Sequence, residues 1–449
     1  MVPAMASLRW LLTVLALTTL VAGCGGEADG GGDGGDAGAE IDGGAEGDAA
    51  PPPERTRYPA GAAHSPLTAT VASRLQAVLA GSTQRRDVFA KIGDSITVDP
   101  NFVGCFARDG ETDLGASAAL EPTRQYFKKT LADATATSFD RVSLAATVGW
   151  SSSDALAGAP NAVDREITAA TPGLAVVMFG TNETAETGVH PFEKNLGSIT
   201  DMLLGRGVIP ILSTIPPRGD SAVADALVVE MNAVVRAVAE SRQVPYMDLW
   251  QRLTPLGAGG LAGDGVHLSV YVQGGVRGCI LTDAGLMKGV NQRNRITLEA
   301  LDRVRRFVVD GAAPEPEPPA LRGSGTWDDP IIVDRVPFVD SGTTSGAESR
   351  FATYACGAQN EGGPERVYKI TLGAPTMLRA RVYVDTGVDT DLHWLDGPRA
   401  DACVGRADKT LDVSTGAGEH WLAVDSFVSA GVPRAGGYRL TLVRTGGGI

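Results

Sequence analysis

The sequence predicts a three-layer α/β domain with a mostly parallel sheet, followed by a small antiparallel β-sandwich. Three observations carry that prediction. Short apolar runs recur between helical patterns, a Pro/Glu-rich break falls at 313–323, and beyond it the apolar residues alternate with a period of two. In chain order the runs are "DVFAKI" (87–92), "LAVVMF" (174–179), "VIPILST" (208–214) and "VPYMDL" (244–249). Each is apolar on both faces, as a parallel strand between two helix layers must be. Pro210 cannot donate to a ladder, so it belongs at the beginning of its strand. Helical spacing places Leu67, Val71, Leu75 and Val78 on one face. The same holds for Phe192, Leu196, Ile199 and Leu203, and for Leu298, Leu301, Val304 and Val308. In "MLRARVYV", Leu378, Ala380, Val382 and Val384 alternate with Arg379, Arg381 and Tyr383. "EHWLAVDSF" and "GYRLTLV" continue in the same style.

Composition narrows the function classes. A chain of 449 residues suits two folded domains. Its net charge of −14 disfavours a nucleic-acid partner, and nine of its acidic residues fall in 25–54, which has no Lys or Arg. That Gly/Asp/Ala/Glu-rich segment buries too little apolar surface to offset the entropy of ordering, so 25–59 reads as a tether. Before it, Arg9 and "WLLTVLALTTLVAG" read as an export signal, too short to span a bilayer comfortably. With Cys24 set aside, Cys105, Cys279, Cys356 and Cys403 remain, and an even number in an exported chain implies disulfides. Three pairings are open. Cys105–Cys279 with Cys356–Cys403 keeps each bond inside one domain and is the pairing expected. No pair has C-x-x-C spacing, so neither redox chemistry nor a zinc cluster is expected.

The chemistry begins at "FAKIGDSIT" (89–97), where Ser95 follows a strand directly. In open α/β sheets, reactive residues gather at the carboxyl ends of the strands. A serine there caps the next helix or acts as a nucleophile, and the second role needs an adjacent base. Of the five histidines, His267 stands three residues after Asp264 in "GDGVHLS", a spacing that brings both side chains to one side of a turn. Such an Asp can fix the imidazole tautomer and stabilise the imidazolium. Asn182 in "VVMFGTNE" and Gly149 in "AATVGWSSSDAL" follow as side-chain and backbone donors suited to an oxyanion. His190 and Trp150 are candidates to line the cleft; Asp99, Glu183 and Glu186 lack ligand spacing, and no metal is expected.

These four blocks, in this order, resemble the SGNH hydrolases, also called GDSL-type esterases and lipases. The resemblance spans the region 60–312 and rests on "GDSI", "VGWSS", "GTNE" and "DGVH". It implies a flavodoxin-like α/β/α fold and hydrolysis of esters without metal or organic cofactor. Ser95 would be the nucleophile, His267 the base and then acid, and Asp264 its orienting partner. The Ser95 N–H, the Gly149 N–H and the Asn182 amide would form the oxyanion hole. Glu183 stands where the family commonly has Asp. Residues 268–286 add a loop, which a Cys105–Cys279 bond would tie beside the loop after Ser95.

Two further resemblances complete the expectations. "LVAGC" is similar to the lipobox of bacterial lipoproteins, which implies a signal peptide over 1–24, acylation of Cys24 and an outer-membrane, periplasmic or cell-surface location. Residues 324–449 resemble the bacterial pre-peptidase C-terminal domain, which implies an accessory role such as contact with a surface polymer. Its "DTGVDTDLHWLDG" clusters Asp385, Asp389, Asp391 and Asp396; without EF-hand spacing, an acidic surface turn is preferred over a calcium site. The functional expectation is an exported serine esterase acting on small or medium acyl groups, including acetyl esters of carbohydrate. A phospholipase of the same fold and a non-catalytic surface-binding lipoprotein are the alternatives.

Overall fold

The structure, a computed structural model, describes residues 55–185 and 188–445. Cys24, the expected export signal and most of the expected acidic tether lie outside the described residues, as does Glu186. The α/β domain runs α1 (Ala69–Ala80), β1 (Arg85–Gly93), α2 (Ser95–Val98), α3 (Glu121–Lys128), α4 (Ser152–Leu156), α5 (Ala162–Ala170), β2 (Pro172–Met178), α6 (Val189–Gly205), β3 (Ile209–Ser213), α7 (Ala222–Arg242), β4 (Tyr246–Met247), α8 (Leu249–Leu253) and α9 (Gly289–Val304). β1 to β4 pair in parallel in that order. On the free side of β1, Gly93 and Ala146 make a single parallel bridge, with Gly93 N donating to Ala145 O and Thr147 N to Gly93 O. Counting that bridge as a vestigial second strand gives the order 2-1-3-4-5, the flavodoxin-like arrangement. Every residue of β2 and β3 is buried, as strands covered on both faces require. Pro210 is the second residue of β3, opposite Ala175.

The second half forms two antiparallel-dominated sheets. One holds β5 (Ile331–Val333), β7 (Glu365–Leu372), β9 (Thr390–Leu395), β10 (Cys403–Ala407) and β12 (Gly418–Ser426), in the order β10-β9-β12-β7-β5. The other holds β6 (Phe338–Thr343), β8 (Thr376–Val384), β11 (Thr410–Thr415) and β15 (Gly437–Arg444), in the order β11-β8-β15-β6. A short hairpin, β13 (Val428–Ser429) and β14 (Val432–Pro433), stands apart. Between the sheets lies a core around Tyr368, Leu378, Trp394, Leu422 and Leu440, taken from alternate positions of facing strands. Cys105–Cys279 and Cys356–Cys403 are both disulfide-bonded.

Three features differ from the sequence reading. The tether was expected to run to 59, but Thr56 and Tyr58 are already buried. Gln243 accepts from Thr56 N, and Tyr58 Oη donates to Val244 O. The spacer at 313–323 is fastened down rather than loose. Glu315 takes both Arg303 guanidinium nitrogens and Leu67 N, and Glu317 accepts from Thr56 Oγ1. Finally, α7 has no single apolar face because both of its sides are covered. Met231, Val234 and Val238 join the α/β core, while Ala233 and Ala237 pack on Val339 and Val443 of the sandwich. Glu230 on α7 binds Arg379 Nη1 at 2.7 Å and Arg381 Nε at 2.9 Å, and Glu193 on α6 binds Arg439 Nε at 2.6 Å. The two domains therefore pack as one compact unit.

Candidate active site

Ser95 opens α2 at the carboxyl end of β1. Asp94, not Ser95, is the N-cap: its Oδ1 accepts from Ile96 N at 3.0 Å. That leaves the Ser95 hydroxyl outside the capping arrangement, half-exposed at the mouth of the sheet. The approach to it is tight. A Cβ on Gly93 would stand 2.3 Å from Thr97 Oγ1 and 2.6 Å from Met178 O, so only glycine lets the chain turn here. Asp94 is fully buried, and burial pushes its carboxyl up to about 6 against the pull of Arg293.

His267 reaches Ser95 from the loop between α8 and α9. Its Nε2 lies 2.9 Å from Ser95 Oγ, and its Nδ1 lies 2.6 Å from Asp264 Oδ2. The other carboxylate oxygen, Oδ1, accepts from Val266 N and His267 N, both at 3.0 Å. Those two backbone donors, with the imidazole, hold the Asp264 carboxyl down at about 2, so it stays ionised through the neutral range. Both side chains are about half exposed, and this end of the sheet is open to solvent.

Two of the oxyanion candidates, Gly149 and Asn182, lie on loops that are joined to each other. Gly149 has φ +80°, and a Cβ there would meet nothing within 4 Å, so the turn is glycine-dependent for its backbone angle and not for space. Asn182 Nδ2 donates one hydrogen to Trp150 O at 2.7 Å, which ties its loop to the Gly149 turn and leaves its second hydrogen uncommitted. Glu183, which replaces the commoner Asp, is buried and fastens the same two loops. It accepts from Ser152 N and from Gly180 N at 2.9 Å, and burial raises its carboxyl above the usual range. Glu183→Ala leaves two buried N–H groups without acceptors and loosens the turn. The expected result is a fall in kcat of ~10²-fold with KM nearly unchanged, measured by steady-state kinetics.

The remaining candidates separate from the site. His190 bonds Thr410 Oγ1 of the sandwich at 2.9 Å and lies against Tyr383, so it serves the domain contact rather than the cleft. Asp99 caps a turn through Asn101 N, and His64 pairs with Glu299. Trp150 packs on the core and offers its carbonyl to Asn182. Two residues on α9 had no legible sequence signal. Arg293, almost fully buried, donates to Ile96 O and to Thr97 Oγ1 and stacks on Phe102, bracing α2 from below. Asn294 accepts from Val103 N and donates to Asn101 O and Gly278 O, joining the loop after Ser95 to the 268–286 insertion. The Cys105–Cys279 bond closes the same junction.

At the carboxyl end of a doubly covered parallel sheet, a serine, a histidine and an aspartate stand in hydrogen-bond sequence, the arrangement that activation of a serine requires. Residues 92–271 match the profile of the GDSL-like lipase/acylhydrolase family, and this part of the chain is a domain of that family, a hydrolase of ester bonds. No curated protein matches the chain. Among solved structures it is similar to a GDSL-like lipase from Bacteroides thetaiotaomicron, at 16% identity over 52% of this chain and 97% of that one, with a TM-score of 0.31. It is also similar to an acetylxylan esterase from Geobacillus stearothermophilus, at 18% identity over 49% of this chain and 94% of that one, with a TM-score of 0.33.

Proposed function

We propose that the chain is a serine esterase working through an acyl-enzyme. The observation that carries this reading is the unbroken relay Ser95 Oγ, His267 Nε2, His267 Nδ1, Asp264 Oδ2, with steps of 2.9 and 2.6 Å across the ring. Ser95 Oγ attacks the ester carbonyl carbon while His267 Nε2 takes its proton, and Asp264 holds the imidazolium so formed. The oxyanion forms beside the Ser95 N–H, the Gly149 N–H and the second Asn182 hydrogen. His267 then returns the proton to the leaving alcohol. A water, activated by the same imidazole, releases the acid and restores Ser95. Asn182→Ala removes one donor and also frees the Trp150 carbonyl, so kcat should fall ~10²–10³-fold. An unchanged kcat would remove Asn182 from the oxyanion hole.

The substrate we assign is an ester of a small or medium acyl group on a bulky alcohol such as a sugar. The half-exposed His267 and Asp264, and the open space beside Gly149, leave room for a large alcohol portion outside the cleft. Rates on p-nitrophenyl acetate, butyrate and octanoate test the acyl side: preference for acetate supports this reading, and preference for octanoate would shift it to a lipase. We also read the chain as an exported lipoprotein anchored through Cys24, a location that suits two disulfides. Cell fractionation tests this, because Cys24→Ser should move the protein from the membrane to the soluble fraction.

A further inference from the structure

Two groups of the proposed chemistry stand on separate loops. Asn182 is held in the turn after β2, and His267 in the loop between α8 and α9. Both must face one ester carbonyl with an error of no more than about 0.5 Å. Among the described residues no hydrogen bond joins the two loops directly.

The segment between β3 and α7 is bonded to both. On one side, Arg218 Nη1 donates to Thr181 O at 2.6 Å and to Thr184 Oγ1 at 2.9 Å, which grips the chain before and after Asn182. On the other, Gly219 N donates to Gly265 O at 2.7 Å, in the turn between Asp264 and His267. The approach there is close, since a Cβ on Gly265 would stand 2.6 Å from Asp220 N. The segment itself is fixed. Pro216 and Pro217 restrict its backbone angles, and Arg218 N donates to Asp225 Oδ1 at 2.8 Å on the first turn of α7. Asp220 takes Arg218 Nε and Nη2 at 2.8 and 2.7 Å. The Arg218 side chain is 10% exposed and each of its three guanidinium nitrogens is bonded, so it holds groups in place and does not meet substrate.

We propose that Arg218 is a positioning residue for the esterase reaction, fixing the Asn182 donor relative to the His267 base. The inference rests on the serine-esterase reading and adds a residue to it. The planar guanidinium presents Nε and Nη2 to Asp220 on one edge and Nη1 to Thr181 and Thr184 on another, a fork that a lysine ammonium cannot reproduce. Removing the side chain costs little stability, because Thr181 O keeps the Thr184 hydroxyl at 2.7 Å and Asp220 is exposed to water. What is lost is the tie between the Asn182 turn and the Gly219–Gly265 bond. A donor that drifts by that route is missed chiefly in the transition state, where the oxyanion forms.

The test is steady-state hydrolysis of p-nitrophenyl acetate by the full chain. Arg218→Ala should lower kcat ~10–10²-fold with KM within ~3-fold of the parent, and Tm should fall by only a few degrees. Arg218→Lys should recover little of the loss. Guanidinium chloride at about 50 mM, far below denaturing concentration, should raise kcat of Arg218→Ala at least ~3-fold and leave the parent unchanged. Added to Asn182→Ala, Arg218→Ala should cost less than ~3-fold more, because both act through the same donor. Should Arg218→Ala fold poorly, Asp220→Asn should show a smaller fall, ~3–10-fold, with the same dependence on Asn182. Full kcat in Arg218→Ala, or a loss that ignores guanidinium and multiplies in full with Asn182→Ala, would overturn the inference. A parent that hydrolyses no activated ester would instead overturn the esterase reading, and this inference with it.

Discussion

Ser95→Ala and His267→Ala should each lower kcat on an activated ester by ~10⁴–10⁶-fold, and the double variant should be no worse than either alone. That non-additivity is the informative part. Ser95 Oγ and His267 Nε2 lie 2.9 Å apart and act as one device: with the imidazole gone, the hydroxyl keeps its proton and remains a poor nucleophile. Asp264→Asn should cost less than either, because the two backbone donors to Oδ1 hold the side chain in place whichever group fills the other position. Asp264 is held at about 2, so its own protonation does not limit activity above about pH 4. Steady-state kinetics with p-nitrophenyl acetate, with folding checked by circular dichroism, reads all of this. Effects that simply multiply in the double variant would mean that the two residues act separately.

Glu230→Ala should destabilise the protein by about 3–5 kcal/mol and separate the unfolding of its two halves. Glu230 is nearly buried on α7 and receives both Arg379 and Arg381 from β8. Removing it leaves two guanidinium groups facing each other across a closed contact, each desolvated and without the carboxylate they share. Arg379 retains Asp412 on its outer side, but that partner is more than half exposed and compensates little. What remains of the contact is the Glu193–Arg439 pair, the His190–Thr410 bond and the small apolar patch of Ala233, Ala237, Val339 and Val443, which hold the domains together less firmly. Guanidinium denaturation should show one transition for the parent and two for the variant. A single transition within about 0.5 kcal/mol of the parent would mean that the other contacts carry the junction without Glu230.

The strands of the parallel sheet and three of the helices were legible because most of each run lies in one environment. A strand covered on both faces reads as an unbroken apolar run, and a helix lying on a sheet reads as a 3.6-residue stripe. α7 was missed for the same reason in reverse. With a sheet on one side and the sandwich on the other, it is covered on both sides, with Glu230, Arg236 and Glu240 among its buried residues, and shows no single apolar stripe. The vestigial strand at 145–147 makes one bridge and leaves no run to see. Composition also misled at 313–323, where Pro and Glu suggest a free spacer. The glutamates there are used one by one as acceptors for Arg303 and Thr56, a matter of position that composition does not record.

The site itself was more legible than its supports. Ser95, Gly149, Asn182, Asp264 and His267 stand in short blocks beside glycines, where turns expose them, and the structure brings Ser95, Asp264 and His267 into hydrogen-bond reach. Arg293 and Asn294 lie in the buried part of an ordinary helix, and nothing in the sequence separates them from solvated residues. The place of Arg218 is hidden for a further reason. Thr181 and Gly265 are far from its segment in the chain, and only the fold makes them neighbours.

The most direct measurement on the central claim is labelling with a fluorophosphonate, which bonds a serine only when its hydroxyl is activated. After digestion, mass spectrometry should place the label on the peptide containing Ser95, with loss of activity in proportion to labelling and no labelling in His267→Ala. A label elsewhere, or full labelling of Ser95 without loss of ester hydrolysis, would contradict the assignment of Ser95 as the nucleophile.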